Sequence, residues 1–368
     1  MLKKALNKQA WICVITLCLL LLASAIPSAA ENKITIRYAS GWPATHSTSK
    51  QIVNWQKRIT ELTKGEVTFQ NYWGGALVKM KETLTAVKNG IADLGLGLSV
   101  YAPSYLPLSS VTDIPFITSD SYAQLNACKD LYDSFKPFQA EYEKNNLVPV
   151  AWIASEPTLL GSKTDIKRLS DLKGLKIRVT GYLSQVISAV GASPIALSGS
   201  QVYEALERGT IDGYTGANLR YATAMKFYEA AKYFLDPGFG TYVTINLIMN
   251  KQIWEKLSPA NKEAFQKAGN EFQDHQIKAM NKANIKNAQT LIDGGGIPIV
   301  WPKEDLQKIE TVGGPVVEKA WIKSLKDRGL PAEEMLSRYK GLVKKYETNS
   351  PYVNPFKICL KLYEQKKK

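Results

Sequence analysis

Histidine is nearly absent: His46 and His275 are the only two in 368 residues. Two imidazoles cannot furnish a histidine-rich metal centre, and a histidine-based triad would have to arise by accident. Cysteine is equally sparse. Cys13 and Cys18 fall in an N-terminal apolar run, leaving Cys128 and Cys359, which have no zinc-type spacing and can pair only if the fold brings them together. There is no G-x-S-x-G elbow, no G-x-x-x-x-G-K loop and no H-E-x-x-H. An enzyme is therefore without support, and neither a metal nor an organic cofactor is expected. A second long apolar run is missing too, so nothing beyond the first thirty residues can span a membrane.

Those thirty residues read as an export signal. Lys3, Lys4 and Lys8 form a basic start, Ala10 to Ala25 is apolar, and Pro27 precedes Ser28-Ala29-Ala30, where a signal peptidase needs small side chains. Cleavage after Ala30 would release the rest of the chain into the periplasm. The alternative is an uncleaved anchor, since the run approaches the roughly 17 residues a spanning helix needs. Leu17 before Cys18 argues against a lipoprotein. Removing the segment lowers the formal charge of +14 by three, because it carries three lysines and no acid. The remaining excess is spread along the chain, with its densest run at Lys366-Lys367-Lys368, which does not suit a nucleic-acid partner.

The pattern of the remainder predicts an α/β protein. Ile34 to Ala39 alternates as a strand, a helix spans about Ser47 to Thr63, Val67 to Tyr72 is a second strand, and a helix to Asn89 leads into a third near Leu94. The plan recurs further on: a strand at Leu175–Val179, helices at Leu183–Val190 and Val202–Arg208, then a strand opened by Ile211-Asp212-Gly213. Ala86–Asp93 and Ala205–Asp212 share an apolar helix end, a glycine and an aspartate three residues on. Tyr242–Met249 reads as a strand crossing between two lobes. Ser258-Pro259 starts a helix of some thirty residues, ended by Gly294-Gly295-Gly296, and two more helices follow before a frayed basic tail.

Arg178 ends a short strand just before the Gly181 turn into a helix. Ligands of α/β sheets bind at the carboxyl ends of strands, where a guanidinium can grip a carboxylate with two parallel hydrogen bonds. A surface arginine without a ligand satisfies the same local pattern.

The segments around it, in this order, resemble the solute-binding proteins of tripartite ATP-independent periplasmic (TRAP) transporters. They are Asn71–Leu77 (NYWGGAL), Ala86–Asp93 (AVKNGIAD), Asp113–Phe116 (DIPF), Asp171–Arg178 (DLKGLKIR), Val190–Pro194 (VGASP) and Val202–Gly213 (VYEALERGTIDG). The resemblance runs through most of the chain. It implies a two-lobed periplasmic-binding-protein fold with hinge strands and a long helix spanning both lobes. It also implies a small carboxylate ligand held by Arg178 and a partner pair of membrane permease subunits. Divided on that basis, residues 31–155 plus 242–282 form lobe I, and 156–241 plus 283–368 form lobe II. Two departures from the family's pattern bear on the ligand. Where sialic-acid-type members carry a second arginine, this chain has Thr158 with Glu156 close by; after Asp212-Gly213 it has Tyr214-Thr215-Gly216 in place of Gln-Glu-Asn. Glu156 would repel a second carboxylate, whereas a hydroxyl, an amine or a bound cation would suit it. Trp42, Trp73, Tyr101, Tyr214 and Phe239 follow strands or sit in turns, where each suits either a cleft wall or ordinary core packing. Taken as wall, they predict a monocarboxylate with an apolar or aromatic body. His46, in the loop after Trp42, suits either a hydrogen bond to the ligand or a cap on the following helix, the cap being the better fit. Presenting the ligand to a membrane sensor is the alternative function for the same fold.

Overall fold

The computed structural model describes residues 33–368, and the export-signal reading lies outside them. Two sheets organise the chain. The first contains β1 (Ile34–Ala39), β2 (Val67–Tyr72), β3 (Leu94–Leu98), β4 (Leu147–Ile153) and β10 (Ile245–Asn250), in the order β2-β1-β3-β10-β4. The second contains β5 (Thr158–Ser162), β6 (Lys176–Val179), β7 (Ser193–Ala196), β8 (Gly213–Asn218), β9 (Tyr233–Leu235) and β11 (Ile297–Pro298), in the order β11-β9-β5-β8-β6-β7. In each sheet the β-α-β units pair in parallel, β1 with β2 and β3, β6 with β7 and β8. In the first sheet β10 runs antiparallel to β3 and β4, and in the second β5 runs antiparallel to β8 and β9.

The short repeat seen in the sequence is built twice in atomic detail. Gly90 and Gly209 adopt φ of 73° and 69°, a left-handed conformation that favours glycine at a helix end. Ile91 and Thr210 then donate their N–H back to the carbonyls of Ala86 and Ala205. The aspartates that follow play matching roles: Asp93 accepts from the backbone N–H of Arg37 at 2.9 Å, and Asp212 from that of Lys176 at 2.7 Å. Each carboxylate thereby ties an incoming strand to its parallel neighbour, so the corner sets sheet register in both lobes.

Three segments cross between the sheets: 154–157, 236–244 and the helix Pro259–Asp293. The first two run side by side, with Thr158 donating to the Gly240 carbonyl at 3.0 Å and Ser155 Oγ to the Tyr242 carbonyl at 2.7 Å. The expected crossing strand over Tyr242–Met249 begins later, at Ile245, because Val243 has a left-handed φ of 82° that interrupts extended pairing. The long helix starts where expected, its Ser258 cap accepting from Asn261 N at 3.2 Å with Pro259 in the first turn. At 35 residues it is about 52 Å long. Its first half buries Phe265 and Phe272 with Trp55 in the first core, and its second half buries Met280, Ala288 and Leu291 in the larger core. Between them Gln276 donates to the Trp152 carbonyl and accepts from Ala154 N, both at 2.8 Å, which pins the helix to the crossing segment.

Two expectations for the C-terminus change. The helix Ala332–Glu347, assigned by sequence to the second lobe, packs its stripe of Met335, Leu336, Tyr339 and Val343 on the helix Ser121–Ser134, on the first-sheet side. The tail is a helix, Pro355–Lys367, rather than frayed chain. Asn354 caps it by accepting from Phe356 N at 2.9 Å, and burial of Phe356 and Cys359 holds it down beneath a lysine-rich outer face. Cys128 and Cys359 are both buried and free, so no disulfide joins them.

Candidate ligand-binding site

A cavity of about 310 Å³ lies between the sheets, at the carboxyl ends of β1, β3, β6 and β8 and against both hinge segments. On one wall are Trp42, His46, Met80, Leu98, Val100 and Tyr101; on the other are Thr158, Arg178, Thr180, Arg220 and Tyr221. Ser155, Glu156, Tyr242 and Val243 close the hinge side. Five of the eight side chains named from the sequence therefore meet here: Arg178, Trp42, Tyr101, Glu156 and Thr158.

Trp73, Tyr214 and Phe239 do not, and each is a correction. Trp73 lies edge-on to Tyr38 at 5.1 Å and packs on the first core. Tyr214 is fully buried against Phe227 at 4.9 Å, in the small core under the helix Val202–Glu207. Its ring occupies the space a Cβ on Gly161 would need, 2.2 Å away, which explains the glycine in β5. Phe239 is buried edge-on to Phe116 at 5.7 Å, on the far side of the hinge turn. A large apolar side chain after a strand turns to whichever unfilled volume is nearest, and for these three that volume is core.

Arg178 reaches the cavity because β6 ends under it. Its Nε donates to the Leu197 carbonyl at 3.0 Å and its Nη1 to the Thr215 carbonyl at 3.0 Å, with Gly216 O at 3.5 Å. Carbonyls of two neighbouring chain segments thus fix the plane of the guanidinium, while Nη2 has no acceptor among the described residues and faces the cavity. Gly216, with φ 73°, keeps the wall clear, since a Cβ there would stand 3.4 Å from Nη1. Burial lowers the arginine's pKa, opposed by the nearby hydroxyls of Tyr101, Tyr221 and Tyr242. Among the described residues no carboxylate pairs with it. A buried cation held by dipoles alone calls for an external anion.

His46 caps the helix Ser47–Leu62, its Nδ1 accepting from Thr48 N at 3.3 Å, and it stacks on Trp42 at 4.7 Å. Accepting a hydrogen bond requires an unprotonated Nδ1. Burial, and secondarily the charge of Arg220, push the imidazole's pKa down to about 4, so it adds no charge at neutral pH. Val243 is a β-branched residue at φ 82°, a strained conformation costing about 1–3 kcal/mol. Thr244 holds it there, donating from its backbone N–H to Ser99 Oγ (3.2 Å) and from Oγ1 to the Ser109 carbonyl (2.9 Å).

Sequence reasoning missed Arg220 and Tyr221. A signal was present: Asn218 ends β8 and caps the helix Leu219–Ala224, accepting from Tyr221 N at 2.9 Å. A capped helix starting at a strand's carboxyl end aims its first turn at the cleft. Arg220 Nε stands 3.3 Å from Glu156 Oε2, and its Nη1 donates to Thr48 Oγ1 in the first turn of the helix Ser47–Leu62 at 3.2 Å. Among the described residues no group of three or more His, Cys, Asp or Glu is placed to hold a metal, and no helix is long and apolar enough to cross a membrane.

An interlobe cavity whose guanidinium has no carboxylate partner among the described residues is suited to holding an anionic solute. The chain belongs to the DctP family, bacterial extracellular solute-binding protein family 7, whose model matches residues 38–324. It is 26% identical over 293 residues to the monocarboxylate 2-oxoacid-binding periplasmic protein of Nostoc sp., covering 77% of this chain and 78% of that one. It is also 26% identical over 277 residues to the C4-dicarboxylate-binding periplasmic protein of Rhodobacter capsulatus, covering 74% and 82%. A crystal structure of a TRAP periplasmic solute binding protein from Desulfovibrio salexigens superposes with a TM-score of 0.74 at 28% identity, covering 86% of this chain and 97% of that one.

Proposed function

We propose that this protein is the periplasmic receptor of a TRAP transporter and captures a compact organic monocarboxylate in the interlobe cavity, with Arg178 gripping the carboxylate. The carrying observation is the buried Arg178 guanidinium, held by carbonyls and lacking a counter-ion among the described residues. The two relatives named above bind ligands of different charge, and the cavity's charge inventory favours the monoanion. Arg220 is offset by Glu156, and His46 is neutral near pH 7, which leaves the single positive charge of Arg178. Trp42, Met80, Leu98, Val100 and Ile245 suit an apolar or aromatic body, and about 310 Å³ is at the small end of the usual range of about 300–1,000 Å³.

The chain is exported by its first thirty residues and hands its ligand to a permease pair driven by an ion gradient. Capture closes the two lobes about the hinge segments, and ligand shifts the population by its preference for the closed form. Calorimetric titration of ligand-free protein with monocarboxylates and their dicarboxylate counterparts tests the reading, supported by mass spectrometry of ligand released on denaturation. One monocarboxylate bound per chain and recovered unchanged is the expected result. Preference for the dicarboxylate of the same skeleton, or no carboxylate bound at all, overturns it.

A further inference from the structure

The cavity holds two guanidinium groups, and they are treated differently. Arg178 meets only carbonyl oxygens, whereas Arg220 has a carboxylate beside it. That carboxylate is an expensive one. The Glu156 side chain is 0% exposed, and neither of its oxygens accepts a hydrogen bond. A buried carboxylate is ordinarily surrounded by donors, because desolvation is otherwise uncompensated. If the site needed only packing, or only an acceptor to orient Arg220, an amide of the same size would serve at lower cost. What glutamate supplies and glutamine cannot is negative charge.

We propose that Glu156 is the residue that sets the charge of the ligand: it cancels Arg220, leaving Arg178 as the single anion receptor, and without it Arg220 becomes a second carboxylate site. This rests on the monocarboxylate reading and assigns the selectivity to one residue. Arg220 lines the same cavity as Arg178 and donates to Thr48 Oγ1 in the first turn of the helix Ser47–Leu62, so its guanidinium borders the space a ligand held by Arg178 would occupy. The position that the sequence marks as lacking a second arginine is thus supplied from another element, then silenced.

The experiment compares the wild type, Glu156→Gln, Arg220→Gln and the double variant. Each is titrated with a dicarboxylate and with the monocarboxylate of the same carbon skeleton, after its fold is checked by circular dichroism. In Glu156→Gln, the dicarboxylate should gain at least about tenfold in affinity relative to the monocarboxylate, the effect of one new charge-assisted contact. In the double variant the ratio should return to that of the wild type. Arg220→Gln, which leaves Glu156 uncancelled, should bind the monocarboxylate more weakly than the double variant does. An unchanged ratio in Glu156→Gln overturns the proposal, because it would make the glutamate a structural brace. The double variant leaves neither Glu156 nor Arg220 as an unpaired buried charge, so it decides the matter if a single variant does not fold. Loss of monocarboxylate binding in the double variant would also overturn the proposal, because the pair would then be part of the carboxylate grip. The underlying reading fails separately, through a wild type that binds no monocarboxylate or binds it as well without Arg178.

Discussion

Replacing Arg178 by alanine removes the one uncompensated charge of the cavity. In the proposed liganded state the side chain faces a carboxylate in a buried site, and truncating one partner of such a pair costs about 3–5 kcal/mol. At about 1.4 kcal/mol per decade, this weakens binding about 140- to 3,700-fold. The unliganded protein should behave differently. There the arginine is a buried cation whose desolvation opposes its contacts to Leu197 O and Thr215 O. Alanine removes cost and gain together, so the melting temperature without ligand should change little. Arg178→Lys keeps the charge but lacks the planar fork that reaches Leu197 O, Thr215 O and a ligand at once, and should still lose at least about tenfold. Titration calorimetry reads the affinities. Thermal shift gives a second reading, since ligand at 100 times its Kd stabilises the wild type by about 2.7 kcal/mol and should not shift Arg178→Ala at that concentration. A folded alanine variant whose Kd stays within about threefold of wild type refutes the assignment.

Three further outcomes follow from the same geometry. Tyr214→Ala should destabilise the protein by about 3–5 kcal/mol in denaturant unfolding, through the cavity it leaves against Phe227, while Tyr214→Phe should leave ligand affinity unchanged. His46 keeps its proton off until about pH 4, whereas the unfolded imidazole binds one from about 6.5 downward, so stability falls as pH drops through that window. His46→Asn retains a capping side chain and should flatten this part of the melting-temperature profile. Asp113 is the opposite case: burial pushes its carboxyl up to about 7, so its contribution is complete below the unfolded value near 4 and is lost as pH rises through 7. Asp113→Asn should remove that loss, and melts between about pH 3 and 8 would show whether it does.

Local features were legible wherever one physical signal dominated. Strands β1 and β2 fall where alternation and flanking turns put them, and the long helix begins at its Ser-Pro start. At Arg178 the strand end and glycine turn suited a surface arginine as well, and it was the family resemblance that gave it a ligand; the structure places it in the cavity. The aromatics were not legible, since an apolar ring beside a strand end serves core and cleft equally well; Tyr101 and Trp42 face the cavity while Tyr214 and Phe239 fill volume elsewhere. Arg220 was hidden for a different reason. Its meaning comes from Glu156, which lies on the crossing segment 154–157, and no local pattern links the two. The C-terminal helix was obscured by its own lysines, which mask the spacing of Phe356 and Cys359.

The long helix has a consequence that lies in counting rather than in contact. Each residue turns a helix by about 100° and advances it by 1.5 Å. Phe272 is committed to one core and Ala288 to the other, so the sixteen steps between them fix both the rotation and the distance between two docking faces. Substitutions on the outer side of that stretch leave this relation intact. A single inserted or deleted residue does not, because everything downstream swings by more than a quarter turn and the cavity walls lose their alignment. The spacing of the lobes is thus stored as an integer, and evolution can alter the lining of the cavity far more freely than the length of the rod beside it.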